Sequence, residues 1–203
     1  MVGAAPFCIY GFLLISLTHP CQLPTAYYSK TPMELQVATD LIRQCVPPHT
    51  RHWWDLGAGS GLFTRALAGL LPEGTIVAMD RDVDAMKSLP ARVGNVDIIR
   101  QEVDFTNFSF GRDNPSGILM ANSLHFVKDK VPLLKTLRSR LAANGGLVIV
   151  EYEMTAANQW VPYPIDFSSL LKIGMDAGFV SVKRISTAPS KYQKAGIYSS
   201  RLE

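Results

Sequence analysis

From residue 33 onward the apolar positions change rhythm repeatedly, and each change marks an element. "MELQVATDLIRQC" (33–45) repeats its apolar residues at helical spacing after Pro32, a residue suited to a helix's first turn, and predicts an opening amphipathic helix. "HWWDL" (52–56) predicts a strand and "LFTRALAGLL" (62–71) a helix. "TIVAMD" (75–80) predicts a second strand, and "DVDAMKSL" (82–89) a helix stopped by Pro90. "VDIIRQEV" (96–103) predicts a third strand, followed by the loop "DFTNFSFGRDNP". "GILMANSL" (117–124) is a fourth strand, and "VPLLKTLRSRLAA" (131–143) a helix ended by Asn144, Gly145 and Gly146. "LVIVEYE" (147–153) is a fifth strand. A loop rich in Trp, Pro and Tyr leads to the helix "DFSSLLKIGMDAG" (166–178), and "VSVKRIS" and "GIYSSRL" are the last two strands.

The runs "IVAMD", "GILMA" and "LVIVE" are apolar throughout rather than alternating, as in parallel strands covered on both faces. The final two strands, joined by "TAPSKYQKA", read as an antiparallel hairpin at one edge. The pattern therefore predicts an α/β fold: an open, doubly wound, mostly parallel seven-stranded sheet with an antiparallel C-terminal edge hairpin. No internal repeat or low-complexity segment interrupts it.

The length of 203 residues, 47% of them hydrophobic, suits one globular domain with some excess. The excess lies at the start. "MVGAAPFCIYGFLLISLTHPCQLP" carries no charged side chain, and none occurs before Lys30. Its apolar part is short for a membrane span, and it lacks both the basic start and the A-x-A cleavage site of a secretory signal. Residues 1–31 are expected to be an apolar appendage to a domain spanning 32–203. The net charge of +3 is mild and its Lys and Arg residues are scattered, so the basic stripe of a nucleic-acid surface is missing. Cys8, Cys21 and Cys45 match no metal spacing and no disulfide framework. The seven methionines read as core filler.

Candidate chemistry concentrates in "WWDLGAGSGLF" (53–63), where Gly57, Gly59 and Gly61 fall on a strand-to-helix turn. Glycine there permits positive φ and lets a ligand approach where a Cβ would block it. The following helix start offers unpaired N–H groups and a positive dipole end, suited to a polar or anionic group. A dinucleotide fingerprint requires Gly or Ala where this chain has Leu62, and a start one glycine later puts Thr64 in the last place. A P-loop requires Lys after the last glycine, which Leu62 also excludes.

The remaining pattern, D-x-G-x-G-x-G from Asp55 to Gly61, resembles the S-adenosylmethionine (SAM) motif of class I SAM-dependent methyltransferases. Asp80 ends the second strand about 20 residues past the glycine turn, where a carboxylate takes both ribose hydroxyls. Asp82 suits the helix cap that follows. By the same resemblance, Asp104 accepts from the adenine amino group and Phe105 covers the ring. The implied cofactor set is Asp55, Gly57, Ala58, Gly59, Gly61, Asp80, Arg81, Asp104, Phe105 and Asn122, with S-adenosylhomocysteine as product. The resemblance runs from residue 33 to the C-terminus. Within the superfamily, "ANSLHFVKDKVPLLKTL" with "LVIVEYE" looks like the small bacterial enzymes grouped with ubiquinone/menaquinone methyltransferases.

The exit of the fourth strand bears on the acceptor. Enzymes that methylate exocyclic base amines carry [D/N/S]-P-P-aromatic there, where this chain has "ANSLHF". Cytosine C5 enzymes use a Pro-Cys nucleophile, and no cysteine follows Cys45. His125 lies just past that strand, where an imidazole takes a proton from a hydroxyl or acidic carbon. Capping or packing the next helix, or hydrogen-bonding the cofactor backbone, are the competing roles for His125, and Asn122 is a candidate to orient either His125 or the methionine end of the cofactor. The loop "NQWVPYPIDF" (158–167) sets Trp160 and Tyr163 among prolines, a stiff aromatic cover for a planar or apolar ligand. His125, Tyr152, Trp160 and Tyr163 are therefore the candidate acceptor-binding residues, with Glu151 and Tyr192 nearby in the pattern.

Three functions fit these features. The leading one is SAM-dependent methylation of a small molecule in a dry pocket, with His125 assisting as base. RNA or protein methylation is weakened by the low basic charge and the lack of a substrate domain, and a non-catalytic SAM-binding protein is the third. No nucleic-acid partner, no metal and no stable membrane insertion are expected. A cytoplasmic location is expected, with residues 1–31 leaving membrane association open.

Overall fold

The computed structural model describes residues 33–107, 109–111, 113–190 and 196–203. The expectations for residues 1–31, including Cys8 and Cys21, and for Tyr192 lie outside the described residues. The elements are α1 (Leu35–Ile42), β1 (His52–Leu56), α2 (Leu62–Ala68), β2 (Gly74–Asp80), β3 (Arg92–Val93), β4 (Val96–Glu102), β5 (Gly117–Ala121), α3 (Lys130–Arg140), β6 (Gly146–Tyr152), α4 (Phe167–Asp176), β7 (Val182–Ala188) and β8 (Ile197–Leu202). Short 3-10 turns follow α1, β2 and β5.

Among the described residues, eight strands form one sheet in the order β3-β4-β2-β1-β5-β6-β8-β7. The inner strands β4, β2, β1, β5 and β6 run parallel, and β8 and β7 add antiparallel at one edge. Strand order reverses between β1 and β5, which opens a crevice at their carboxyl ends. Because strand side chains alternate in direction, the adjacent tryptophans of β1 serve opposite faces. Trp53 packs with Leu41, Leu67 and Ile76 under α1 and α2, whereas Trp54 packs with Ile118, Leu134 and Leu170 under α3 and α4. Gly117 of β5 exists for this packing: a Cβ there would lie 2.4 Å from the Trp53 ring.

The architecture matches the pattern reading, with local differences. An eighth strand, β3, pairs antiparallel with β4 across Gly94 and Asn95, with Gly94 at φ 56°. Its side-chain signature is slight, two residues tied by an Arg92–Asp97 ion pair. The helix expected over 82–89 is a single 3-10 turn, Ala85–Ser88. Asp82 accepts from the Ala85 N–H at 3.1 Å, and Pro90 follows before a second turn can offset the cost of nucleation. The helix expected over 62–71 stops at Ala68, where Gly69 caps it. Among the described residues, no helix is long and apolar enough to cross a membrane.

Candidate functional site

The crevice at the strand tips is a cleft of about 350 Å³, lined by Gly57, Gly59, Asp80, Arg81, Asp104, Phe105, Asn122 and Phe126 among others. That volume lies in the range of small-molecule and cofactor sites. Its wall is assembled from the loops after β1, β2, β4 and β5, so residues far apart in sequence meet because the strands run parallel.

The three glycines of the first loop do different work. All have positive φ, at 80°, 51° and 78°. A Cβ on Gly57 would meet Ser123 Cβ at 2.5 Å, and one on Gly61 would meet Leu89 Cδ1 at 2.4 Å. These two let neighbouring loops close in. A Cβ on Gly59 meets nothing within 4 Å, so the bare backbone that faces open space belongs to Gly59. Gly57 lines the cleft as well, whereas Ala58 and Gly61 sit behind it.

Asp80 organises this loop. Its Oδ2 accepts from Gly59 N–H at 2.7 Å and its Oδ1 from Asp82 N–H at 2.9 Å. Each oxygen keeps a lone pair for a ligand hydroxyl. Across the cleft, Asp104 Oδ1 accepts from the Thr106 N–H at 2.9 Å and from its hydroxyl at 2.6 Å. Those bonds hold its carboxyl below the usual carboxylate range. Phe105, next in sequence, is buried and reaches within contact of the Gly57 turn.

Asp55 lies at the end of β1, buried beneath the turn, with Oδ2 accepting the Thr64 hydroxyl at 2.6 Å. Burial pushes its carboxyl up to about 7, the Thr64 bond opposing and the neighbouring Asp80 charge adding. Its Oδ1 is buried and without a hydrogen-bond partner, and so is the side-chain oxygen of Asn122 at the tip of β5. Asn122 adopts a positive φ of 54° while its N–H extends the ladder to Val150 O at 2.8 Å. Two unsatisfied acceptors beside a carboxylate-lined cleft fit a ligand that carries a cation, as the amino-acid end of SAM does.

His125 lies in the 3-10 turn after β5 and is only 3% exposed, outside the cleft lining. Its Nδ1 is 2.7 Å from Glu151 Oε2, and its ring centroid is 4.4 Å from that of Phe126. Phe126, 51% exposed, is the side chain that faces the cleft. Tyr152 packs 6.4 Å from the imidazole, centroid to centroid. The aromatic loop docks on the same turn: Tyr163 N–H donates to His125 O at 3.1 Å, and Lys130 Nζ donates to Tyr163 O and Val127 O. Trp160 is 72% exposed and Tyr163 40%, and neither lines the cleft. Phe126, Ser123 and Thr106 escaped the sequence reading. Ser123 and Phe126 stand inside the quoted run "ANSLHF", where tertiary placement alone distinguishes them: Ser123 Oγ donates to Leu56 O at 2.6 Å, and Phe126 lines the cleft.

Residues 54–147 match the family model described as a methyltransferase domain. No curated protein sequence matches the chain. Solved structures share its fold at low identity. A SAM-dependent methyltransferase from Leishmania major superposes with a TM-score of 0.65 at 14% identity, covering 83% of this chain and 72% of that one. One from Thermotoga maritima gives 0.63 at 16%, covering 83% and 87%. The magnesium protoporphyrin IX methyltransferase from Synechocystis with bound SAM gives 0.59 at 16%, covering 82% and 76%. The matched segment spans the glycine turn, Asp80, Asp104 and Asn122, so residues 54–147 are similar to a methyltransferase domain, set in a fold that the chain shares with solved SAM-dependent methyltransferases.

Proposed function

We propose that this enzyme methylates a small-molecule acceptor and that His125 takes the acceptor's proton. Bound SAM supplies an electrophilic methyl on a sulfonium. In this reading Asp80 holds the ribose hydroxyls, Asp104 and Phe105 hold the adenine, and Gly57 and Gly59 admit the chain between. Arg81 lines the same end of the cleft. Asn122 accepts from the ammonium, and ionised Asp55 stabilises that charge from beneath. Ala58 and Gly61 shape the turn from behind. The acceptor's place is then the β5 side, bounded by Phe126, with Tyr152, Trp160 and Tyr163 available to close over a planar or apolar molecule.

The observation that carries the acceptor reading is the imidazole packed directly behind Phe126. The imidazole centroid lies 4.4 Å from that of this half-exposed ring, and catalytic contacts commonly tighten only in the loaded complex. Within the superfamily, the small ubiquinone/menaquinone-type group is the proposed home, on the run from Ala121 through α3. A cytoplasmic location goes with that reading.

The test is release of S-adenosylhomocysteine from SAM across a panel of phenols, aliphatic alcohols, amines and thiols. Turnover of a hydroxyl-bearing member is expected, falling about 10²–10⁴-fold in His125→Ala with SAM affinity nearly intact. Turnover confined to amines or thiols, or an unimpaired alanine variant, contradicts the role of His125. Release only with RNA or protein added contradicts the small-molecule reading.

A further inference from the structure

One buried acid near the site has no part in the chemistry described so far. Glu151, in β6, is 1% exposed and directs both carboxylate oxygens at a single residue of another loop. Oε1 accepts from the His125 backbone N–H at 3.0 Å, and Oε2 lies 2.7 Å from Nδ1 of the same side chain. A carboxylate this deep in an α/β core is costly unless its charge is met. The backbone N–H and the imidazole meet it, and the Lys130 ammonium lies near enough for the two charges to attract.

The geometry determines where the imidazole proton sits. An ionised carboxylate only accepts, so the bond at Nδ1 requires the proton on Nδ1 and leaves the lone pair on Nε2. Phe126 and Tyr152 lie against the ring, with centroids 4.4 and 6.4 Å from that of the imidazole. The backbone bond ties the carboxylate to the turn itself, so ring and turn are held as one unit.

We propose that Glu151 is the positioning residue of a His125–Glu151 pair, fixing the Nδ1–H tautomer so that Nε2 receives the proton of a hydroxyl acceptor. This rests on the reading of His125 as base. In the step, the acceptor oxygen forms the new O–C bond while the C–S bond breaks and its electrons stay on sulfur. The hydroxyl proton passes to Nε2, and the imidazolium so formed is stabilised by the Glu151 carboxylate until it loses the proton to solvent. The acceptor class follows: a hydroxyl needs such a pair, whereas a thiolate or a free amine does not.

Glu151→Gln is the diagnostic change because it is isosteric and its outcome is forced. The His125 backbone N–H can only donate, so the amide oxygen must face it and the amide NH₂ must face Nδ1. The lone pair then moves to Nδ1, and Nε2 carries the proton. The full chain, labelled with ¹⁵N-histidine and saturated with S-adenosylhomocysteine, contains four histidines, so the His125 signals are assigned by their loss in His125→Ala. Expected are an Nδ1–H tautomer in the wild type, an Nε2–H tautomer in Glu151→Gln and Nδ1–H again in Glu151→Asp. S-adenosylhomocysteine affinity should stay within threefold throughout. Turnover of the panel's hydroxyl acceptor should fall at least about 100-fold in Glu151→Gln and recover in part in Glu151→Asp. An Nε2–H tautomer in the wild type overturns the proposal, whatever happens to the variants. So does full turnover in Glu151→Gln while His125→Ala is impaired, a result that leaves the base itself standing. Full turnover in His125→Ala overturns the reading on which the pair depends.

Discussion

At the scale of single residues, the site spends stability on function most visibly at Asp55. Its carboxyl is raised to about 7 from an ordinary value of 3.8, burial being the main cause. The native state therefore holds a proton that the unfolded chain has released between about pH 4 and 7, and stability falls as pH rises through that window. Below it the contribution is fully present, and above about 7 it is gone. Each tenfold displacement of this equilibrium is worth about 1.4 kcal/mol. Asp55→Asn keeps an acceptor for the Thr64 hydroxyl and removes the buried charge. It should melt higher than wild type at pH 8, by at least ~1 kcal/mol, and the two should converge toward pH 4. The same variant should bind SAM more weakly, because the cation loses its countercharge. An Asp55→Asn protein no more stable at pH 8, by parallel thermal melts, contradicts this account of the residue.

At the scale of elements, the sequence pattern carried most of the frame. β1 is the run "HWWDL" residue for residue, and β2, β5 and β6 fall on the continuously apolar runs, because buried parallel strands leave an unmixed hydrophobic signal. The 3-10 turn over Ala85–Ser88 was illegible as such: Met86 and Leu89 are buried at helical spacing, but the aspartate side chains and Pro90 leave room for one turn only. The strand β3 was missed although Gly94-Asn95 between two valines is a hairpin signal. For the site, the carboxylates at strand ends were legible because parallel strands deliver their C-terminal residues to one edge. Which glycine faces the ligand was not, since that depends on Ser123 and Leu89 approaching from other loops. The link between Glu151 and His125 was equally hidden: it spans two strands and appears only once β5 and β6 pair in register, Ala121 beside Val150.

At the scale of the whole molecule, the sheet carries two separate cores, one under α1 and α2 and one under α3 and α4, and the cleft opens where they meet at the strand tips. Among the described residues, Leu41 and Ile42 of α1 are fully buried in the first of these cores. We propose that residues 1–31 are an appendage to the domain that follows. A protein starting at Met33 should melt within a few degrees of the full chain and bind SAM equally well. Loss of binding on truncation, with the fold intact, contradicts that division and makes the segment part of the site. The central claim is that SAM occupies the strand-tip cleft with Asp80 as its ribose anchor. Calorimetric titration of the full chain with S-adenosylhomocysteine, wild type beside Asp80→Ala, tests it most directly. Charge-assisted hydrogen bonds of about 1.5–3 kcal/mol each predict at least a tenfold loss of affinity in a variant that remains folded. Equal affinity in the two proteins would contradict it.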